Sequence, residues 1–174
     1  MATWNAFYVR NQGDSTCSKI HQAFPSALIE AGPDFVGVTL IDGGFPPPLG
    51  KLAQLSSQLS TDVIWLSFQS VVDAFQFHHW CGGTAIRSLV FGSFHAERTW
   101  EHVEGVPEPW ERDVFFDSNI LRRRLACAAT EEERRECERI WREAELLPGR
   151  TEPCLDARAT ACDVAKYYNF PGWG

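Results

Sequence analysis

The side chains best suited to chemistry are concentrated in residues 62–116. Four of the five histidines and four of the seven tryptophans lie there. The charge is concentrated there too, since residues 61–120 hold nine acidic and three basic side chains in a chain of net charge −7. Imidazole and carboxylate groups can move protons or hold ligands, and indole rings supply large contact areas. No catalytic or cofactor motif accompanies them, so these residues predict a binding surface.

Metal binding is the first chemistry that these histidines suggest. His78 and His79 are adjacent, so on a strand they point to opposite faces and only one of them can join His102. With Glu104, two histidines could form a three-ligand site. No close ligand spacing accompanies them, and we predict neither a metal nor a cofactor.

A phosphate-binding loop is a second possibility, because Gly43-Gly44 and Gly50-Lys51 lie between a predicted strand and a predicted helix. The spacing between Gly44 and Gly50 is one residue too long, and Leu52 stands where a magnesium-binding Ser or Thr is needed. The prolines at 46–48 also remove N–H donors that would bind phosphate. The stretch is therefore predicted to be a rigid turn that leads into a helix.

The first 70 residues show three strand patterns and two helix patterns in βαβαβ order. Crossover connections of this kind predict at least partly parallel pairing. The strands are predicted at Thr3–Arg10, Phe35–Ile41 and Val63–Phe68, with one helix capped by Ser15 or Thr16 and another carrying Leu49, Leu52, Leu55 and Leu59.

Three further strands are predicted at Asp73–Trp80, Ala85–Phe94 and Arg98–Glu104. Gly82-Gly83 is typical of a two-residue hairpin loop, and Ala96-Glu97 is taken as the second turn. These turns set the following residues opposite one another: His78 and Arg87, Gln76 and Leu89, Phe91 and His102.

Side chains alternate between the faces of a sheet, so this register separates a core face from a mixed face. The mixed face would carry Gln76, His78, Trp80, Arg87, Leu89, Phe91, Trp100, His102 and Glu104. The candidate binding residues are those with polar or aromatic reach: Gln76, His78, Arg87, Trp100, His102 and Glu104. We favour a structural interpretation of this face over a binding one: Arg87 pairs with Glu104, and the C-terminal helices cover the rings. A three-residue loop in either hairpin would invert one strand and separate this group.

The C-terminal part has a helical pattern. Thr130 and Glu133 form a capping box that opens a helix to about Leu147, and Asp156 can cap a helix over 157–168. The aromatic tail that follows is expected to dock back on the sheet. We therefore predict an α+β fold: a mixed or antiparallel sheet with helices on one face, ferredoxin-like or a variant, plus C-terminal helices. Residues 1–116 would form the sheet domain, and 117–174 a helical extension packed on the same domain.

Composition favours a cytoplasmic protein. There is no secretory signal pattern at the start and no apolar run of ~18 residues, so we expect no membrane association. The acidic charge disfavours nucleic acid as a partner. The six cysteines show no Cys-x-x-Cys pair and are expected to be free thiols; a Cys127–Cys137 or Cys154–Cys162 bridge is the alternative.

Several phrases of the sequence resemble a group of uncharacterised bacterial proteins of similar size. They are Gln-Ser-Val-Val-Asp-Ala-Phe at 69–75, the segments 87–89, 98–101 and 103–111, and the ending at 163–168 with Pro-Gly-Trp at 171–173. The resemblance implies a bacterial intracellular protein and assigns no activity or site residue.

These observations predict a non-enzymatic binding or regulatory protein that holds a protein partner on an acidic, aromatic surface around residues 76–110. The alternative is an enzyme or sensor that binds a small molecule in a pocket of Arg87, His78, His102 and Glu104. A homodimer built on exposed rings is a third possibility. The sequence leaves open whether the protein is an enzyme.

Overall fold

The computed structural model describes residues 3–41, 47–92 and 98–173, and it confirms the α+β class. Within these ranges a seven-stranded antiparallel sheet has the order β2-β3-β1-β4-β5-β6-β7. Gly43, Gly44 and the turn at Ala96-Glu97 lie outside the described residues. The first half of the sheet and its helices are β1 (Thr3–Arg10), α1 (Asp14–Ala23), β2 (Ala27–Ala31), β3 (Phe35–Leu40), α2 (Leu49–Leu59) and β4 (Asp62–Gln69).

The short strand β2 is absent from the sequence prediction, and it changes the topology. β3 lies between β2 and β1, and β1 lies between β3 and β4, so every neighbouring pair is antiparallel. The crossovers through α1 and α2 do connect parallel strands, but another strand is inserted between them. The prediction of parallel pairing was therefore wrong, because five weakly patterned residues at 27–31 were not recognised as a strand.

The second half of the sheet is a meander of β5 (Ala74–Cys81), β6 (Thr84–Phe91) and β7 (Trp100–Gly105). The hairpin loop at Gly82-Gly83 is confirmed. Both glycines have positive φ, 57° and 88°, which a two-residue loop matching the twist of the strands requires.

Four helices follow: α3 (Pro109–Phe115), α4 (Ser118–Cys127), α5 (Glu131–Glu143) and α6 (Ala157–Tyr168). The Thr130–Glu133 capping box and the Asp156 cap are both confirmed. The predicted helix to Leu147 was too long, since the chain turns into the left-handed region at Ala144. None of the helices in the described ranges is long and apolar enough to cross a membrane.

Helices cover both faces of the sheet. On one face α1 and α2 enclose a core around Val63, Trp65 and Trp80. On the other, α3, α5 and α6 enclose a core around Phe77 and Trp100. Thus α1 and α2 share one face as predicted, while the C-terminal helices pack on the opposite one.

The aromatic tail docks on the sheet as predicted. The Phe170 ring stacks on Tyr8 with centroids 3.7 Å apart, and it meets Phe35 edge-on at 5.0 Å. The Trp173 indole N–H donates to the Tyr8 hydroxyl at 2.5 Å. The tail therefore adds to the core on the side of α6. All six cysteines have free thiols in the structure.

Candidate binding site on the histidine face

Two irregularities in the meander decide which side chains share a face. Trp80 pairs with Ala85 but His79 pairs with Arg87, so Ile86 is an extra residue in β6. A second shift between Val90 and Phe91 leaves an extra residue in β7. Each β-bulge moves the residues beyond it to the other face of the sheet.

The predicted register is therefore wrong by one residue over most of the meander. His78 lies opposite Ser88 rather than Arg87, and Gln76 lies opposite Val90 rather than Leu89. His102 lies opposite Val90 rather than Phe91. The Gly82-Gly83 turn is confirmed, but after the pairs formed by Thr84 and Ala85 the extra residue Ile86 shifts the register. This bulge leaves no signal in the hydrophobic pattern.

Four of the six predicted binding residues still share one face. We call this surface the histidine face and define it by Gln76, His78, Ser88, His102 and Glu104. Ser88 was not predicted as a site residue, because the expected register placed it on the core side. The two predicted residues that lie on the opposite face are Arg87 and Trp100.

His78 is the central residue of the histidine face. Its ring stacks on Trp65 at 5.0 Å and 12°, and it lies parallel to Trp80 at 5.8 Å. Its Nδ1 is 2.9 Å from the Ser88 hydroxyl. The side chain is buried, with 8% of the residue exposed, and its Nε2 has no hydrogen-bond partner in the described ranges.

The His78 ring is neutral at physiological pH. Burial, together with the smaller effect of the nearby His102, lowers its pKa to about 4. In one tautomer Ser88 donates to Nδ1 and Nε2 carries the proton; in the other Nδ1 donates and Nε2 is an acceptor. In both cases a buried polar group lacks its bond, at a cost of about 1–3 kcal/mol.

The outer edge of the histidine face is open to solvent. The His102 and Glu104 side chains are 40% and 73% exposed, and His102 Nε2 lies 3.5 Å from Glu104 Oε2. Glu104 is directly opposite Ser88 on the neighbouring strand. The face thus runs from a buried imidazole to an exposed imidazole–carboxylate pair.

Arg87 serves the opposite face as a structural anchor. Its Nε and Nη2 donate to the two carboxylate oxygens of Glu111 at 2.7 and 2.5 Å, and both side chains are buried. Its Nη1 donates to the backbone oxygens of Glu104 and Gly105. The guanidinium therefore fixes α3 and β7 to β6. It neither pairs with the Glu104 side chain nor faces the predicted binding surface, so both expectations for Arg87 were wrong.

Trp100 is also structural. It is fully buried, its indole N–H donates to the Pro153 oxygen at 3.1 Å, and it meets Phe91 and Phe115 edge-on. The C-terminal helices cover this ring, as the structural interpretation of the face predicts.

His79 lies on the same face as Arg87 and joins two carboxylates. Its Nδ1 is 2.6 Å from Glu108 Oε1, and its Nε2 is 3.2 Å from Asp62 Oδ1. Burial alone would lower the pKa of His79, but these hydrogen bonds and the two negative charges outweigh burial and raise it. The hydrogen bond from His79 in turn lowers the pKa of Asp62. Trp110 also donates to Glu108, so the group ties the start of α3 to the sheet.

The three-ligand arrangement of two histidines and Glu104 that the sequence allows does not assemble among the residues that the structure describes. These ranges contain no group of three or more His, Cys, Asp and Glu side chains that could hold a metal ion. His78 and His102 share a face, while His79 is bound by carboxylates on the other.

The chain was compared with protein-family models, with curated proteins and with solved structures, and none of them matches it.

Proposed function

We propose that the protein binds a small polar molecule on the histidine face. The observation that carries this proposal is the buried, unpartnered Nε2 of His78. Buried polar groups in folded proteins almost always have a partner, so an unpartnered one needs an explanation, and a bound ligand supplies one. A hydroxyl, amide or carbonyl group of a ligand would supply the missing bond, while Glu104 and His102 at the open edge would contact its outer part.

Binding is better supported than catalysis. A general base works best when its pKa is close to the working pH, whereas burial holds the pKa of His78 near 4. Ser88 lies against His78 Nδ1, but an imidazole with so low a pKa is too weak a base to activate the hydroxyl as a nucleophile. The arrangement suits a sensor or carrier that recognises its ligand through a neutral imidazole.

The test is a thermal-shift panel of sugars, polyols, amino acids and nucleosides. A ligand present at 100 times its dissociation constant stabilises the folded state by about 3 kcal/mol. The double variant His78→Phe/Ser88→Ala keeps a ring between the two indoles and removes both polar partners, a change expected to be nearly neutral for folding. It should abolish the shift.

The matched control is His21→Phe, which makes the same change at an exposed histidine of α1. It should keep the full ligand response. A ligand that still stabilises the His78→Phe/Ser88→Ala variant as much as the wild type would show that the histidine face is not its site.

A second proposal is the protein-partner surface around residues 76–110. Its aromatic part loses support, because Trp80, Trp100 and Trp110 are all buried. Its acidic part retains support from the exposed Glu104 side chain, and Val106, which is 77% exposed directly after β7, adds an exposed apolar contact. Light scattering of wild type and of Val106→Arg tests whether the partner is a second copy of this chain; a wild-type monomer would exclude the homodimer.

We also propose that residues 3–69 form a ferredoxin-like unit in the bacterial cytoplasm. Their element order is βαββαβ, which is the order of that motif, and their spatial order is β2-β3-β1-β4. The free thiols support a reducing compartment. A crystal structure tests the fold, and cell fractionation of the source organism tests the location.

A further inference from the structure

The sheet ends in two edge strands, β2 and β7, and the chain shields β7. Trp100 at the start of β7 exchanges backbone hydrogen bonds with Gly149 and Arg150, both of 2.8 Å. The Arg87 guanidinium donates to the Gly105 oxygen at the other end, and a bulge and the positive φ of Gly105 interrupt the regular strand. Native proteins use such devices to keep a sheet edge from pairing with another chain.

The other edge strand, β2, is regular and largely apolar. It pairs with β3 without a register shift, and it contains no proline, lysine or arginine. Its sequence is Ala-Leu-Ile-Glu-Ala, and the Leu28 side chain is among the exposed large hydrophobic groups at 60%. An edge of this kind can accept a further strand.

The hydrogen-bond pattern shows which backbone groups of β2 point away from the sheet. Gly32 donates to the Phe35 oxygen at 2.9 Å, so these two residues form a hydrogen-bonded pair. Hydrogen-bonded and non-hydrogen-bonded pairs alternate along an antiparallel ladder. In the observed register the even-numbered residues of β2 therefore bond to β3, and Ala27, Ile29 and Ala31 direct their N–H and C=O groups outward.

Most of these outward groups are left without a partner in the single chain. The Ala27 N–H donates to the Phe24 oxygen at 3.1 Å, which agrees with its outward direction. Among residues 3–41, 47–92 and 98–173, no backbone bond from outside the sheet reaches Ile29 or Ala31. Each of these two residues thus offers a donor and an acceptor at the free edge, and the Ala27 oxygen offers a further acceptor.

We propose that β2 pairs antiparallel with β2 of a second copy of this chain, about a two-fold axis at Ile29. The two Ile29 residues then exchange both of their hydrogen bonds, and each Ala31 N–H donates to the Ala27 oxygen of the second copy. These bonds satisfy both outward N–H groups of β2 that have no acceptor in the single chain. A two-fold interface requires a patch that is complementary to itself, and this edge has that property.

The side chains of β2 fit the same register. On one face Ile29 meets Ile29 of the second copy, flanked by the small side chains of Ala27 and Ala31. On the other face Leu28 lies opposite Glu30 of the second copy, so the two carboxylates are offset along the strands and no like charges are directly opposed. The pairing joins the two seven-stranded sheets into one continuous sheet.

This interface is independent of the histidine face. The strand order β2-β3-β1-β4-β5-β6-β7 puts β2 at the edge opposite β6 and β7, so the dimer leaves the histidine face open in both copies. The His78→Phe/Ser88→Ala variant should therefore dimerise like the wild type. A variant that dissociates would show that the copies meet on the histidine face and not at β2.

The test is analytical ultracentrifugation of the whole chain from about 1 μM to about 500 μM, a range suited to the dissociation constants of small interfaces. The wild type should change from monomer to dimer as its concentration rises. A wild type that stays monomeric across this range would overturn the proposal.

Substitutions at Leu28 test the register. Leu28→Glu sets a carboxylate opposite Glu30 of the second copy at both ends of the interface, whereas Leu28→Lys sets an ammonium group there. Both variants lose the same exposed leucine, so their folding should be alike. The dissociation constant of the Leu28→Glu dimer should be about tenfold or more above that of Leu28→Lys, and the ratio should fall as salt is added. Equal constants would overturn the proposal.

Val106→Glu and Val106→Lys are the matched controls, because they make the same changes of charge at an exposed apolar residue next to the other edge strand. Their dimers should have nearly equal dissociation constants. A ratio as large at Val106 as at Leu28 would show that net charge governs the association, and it would refute pairing at β2.

Ala31→Pro tests the backbone bonds directly. Proline is tolerated at an edge position whose N–H faces solvent, so this change removes the outward donor and leaves the bonds to β3 in place. It should weaken the dimer about tenfold or more while the unfolding temperature of the monomer stays close to that of the wild type. A dimer as tight as the wild type would contradict the proposed pairing.

Discussion

The buried His78 predicts a specific loss of stability in acid. Its pKa is about 4 in the folded protein, against 6.5 for a histidine side chain that is free in water. The unfolded chain therefore takes up the proton first, so the free energy of unfolding falls as the pH drops below 6.5 and stops falling below 4. This direction is the opposite of that for a histidine held by carboxylates.

The magnitude follows from the two pKa values. At 1.36 kcal/mol for each pKa step, the full effect is about 3 kcal/mol. The linkage relation places about 2 kcal/mol of it at pH 5. For a domain of this size that is a large part of a total stability of about 5–15 kcal/mol.

The assay is urea unfolding of the wild type and of His78→Phe/Ser88→Ala, each near pH 7 and pH 5. Other titrating groups, His79 included, are common to both proteins and cancel in the comparison. We expect the variant to lose about 2 kcal/mol less than the wild type between the two pH values. Equal losses would refute the reasoning, because they would mean that His78 accepts a proton as easily in the folded protein as in the unfolded chain.

Three further predictions concern contacts that hold the sheet to the C-terminal part of the chain. Arg87→Met should lower the free energy of unfolding by about 3–5 kcal/mol, because it leaves the Glu111 carboxylate buried without its cation. The double variant Arg87→Met/Glu111→Leu should recover roughly half or more of that loss. A double variant no more stable than the single one would contradict this. The pKa of His79 is raised in the folded protein, so its ion pairs with Glu108 and Asp62 stabilise the protein below pH 6.5, and this contribution disappears as the pH rises through the folded pKa. The difference in unfolding free energy between wild type and His79→Gln should therefore be smaller at pH 9 than at pH 6. A difference that stays constant would count against this prediction. Phe170→Ala should lower the free energy of unfolding by about 3 kcal/mol, because it removes the ring stacked on Tyr8. Tyr167→Ala, which removes an exposed ring nearby, is the control and should change the free energy of unfolding little. Similar losses for both variants would show that the tail adds nothing to the core.

The fold was predictable where the signal is local. β1 begins and ends at the predicted residues Thr3 and Arg10, and α6 at Ala157 and Tyr168. Hydrophobic spacing, helix caps and Gly-Gly turns act over a few residues, so a single sequence displays them. The docking of the tail was also predictable, because leaving several aromatic rings of a chain end in water is unfavourable.

The candidate site was only half predictable. Gln76, His78, His102 and Glu104 share a face as expected, because alternation along each strand is a local property. Arg87 and Trp100 do not join them, since one extra residue in β6 and one in β7 shift the register. Ser88 enters the site for the same reason.

By itself the sequence determined most of the strands and helices, the α+β class, the acidic charge and the concentration of histidine and tryptophan in residues 62–116. Only the tertiary structure decided which histidine is bound by carboxylates and which is left with a free nitrogen. His78 and His79 are neighbours in the chain, and nothing local distinguishes them. Their environments differ because adjacent side chains of a strand point to opposite faces of the sheet, and the folded chain brings Glu108 and Asp62 to one face and Trp65 and Ser88 to the other.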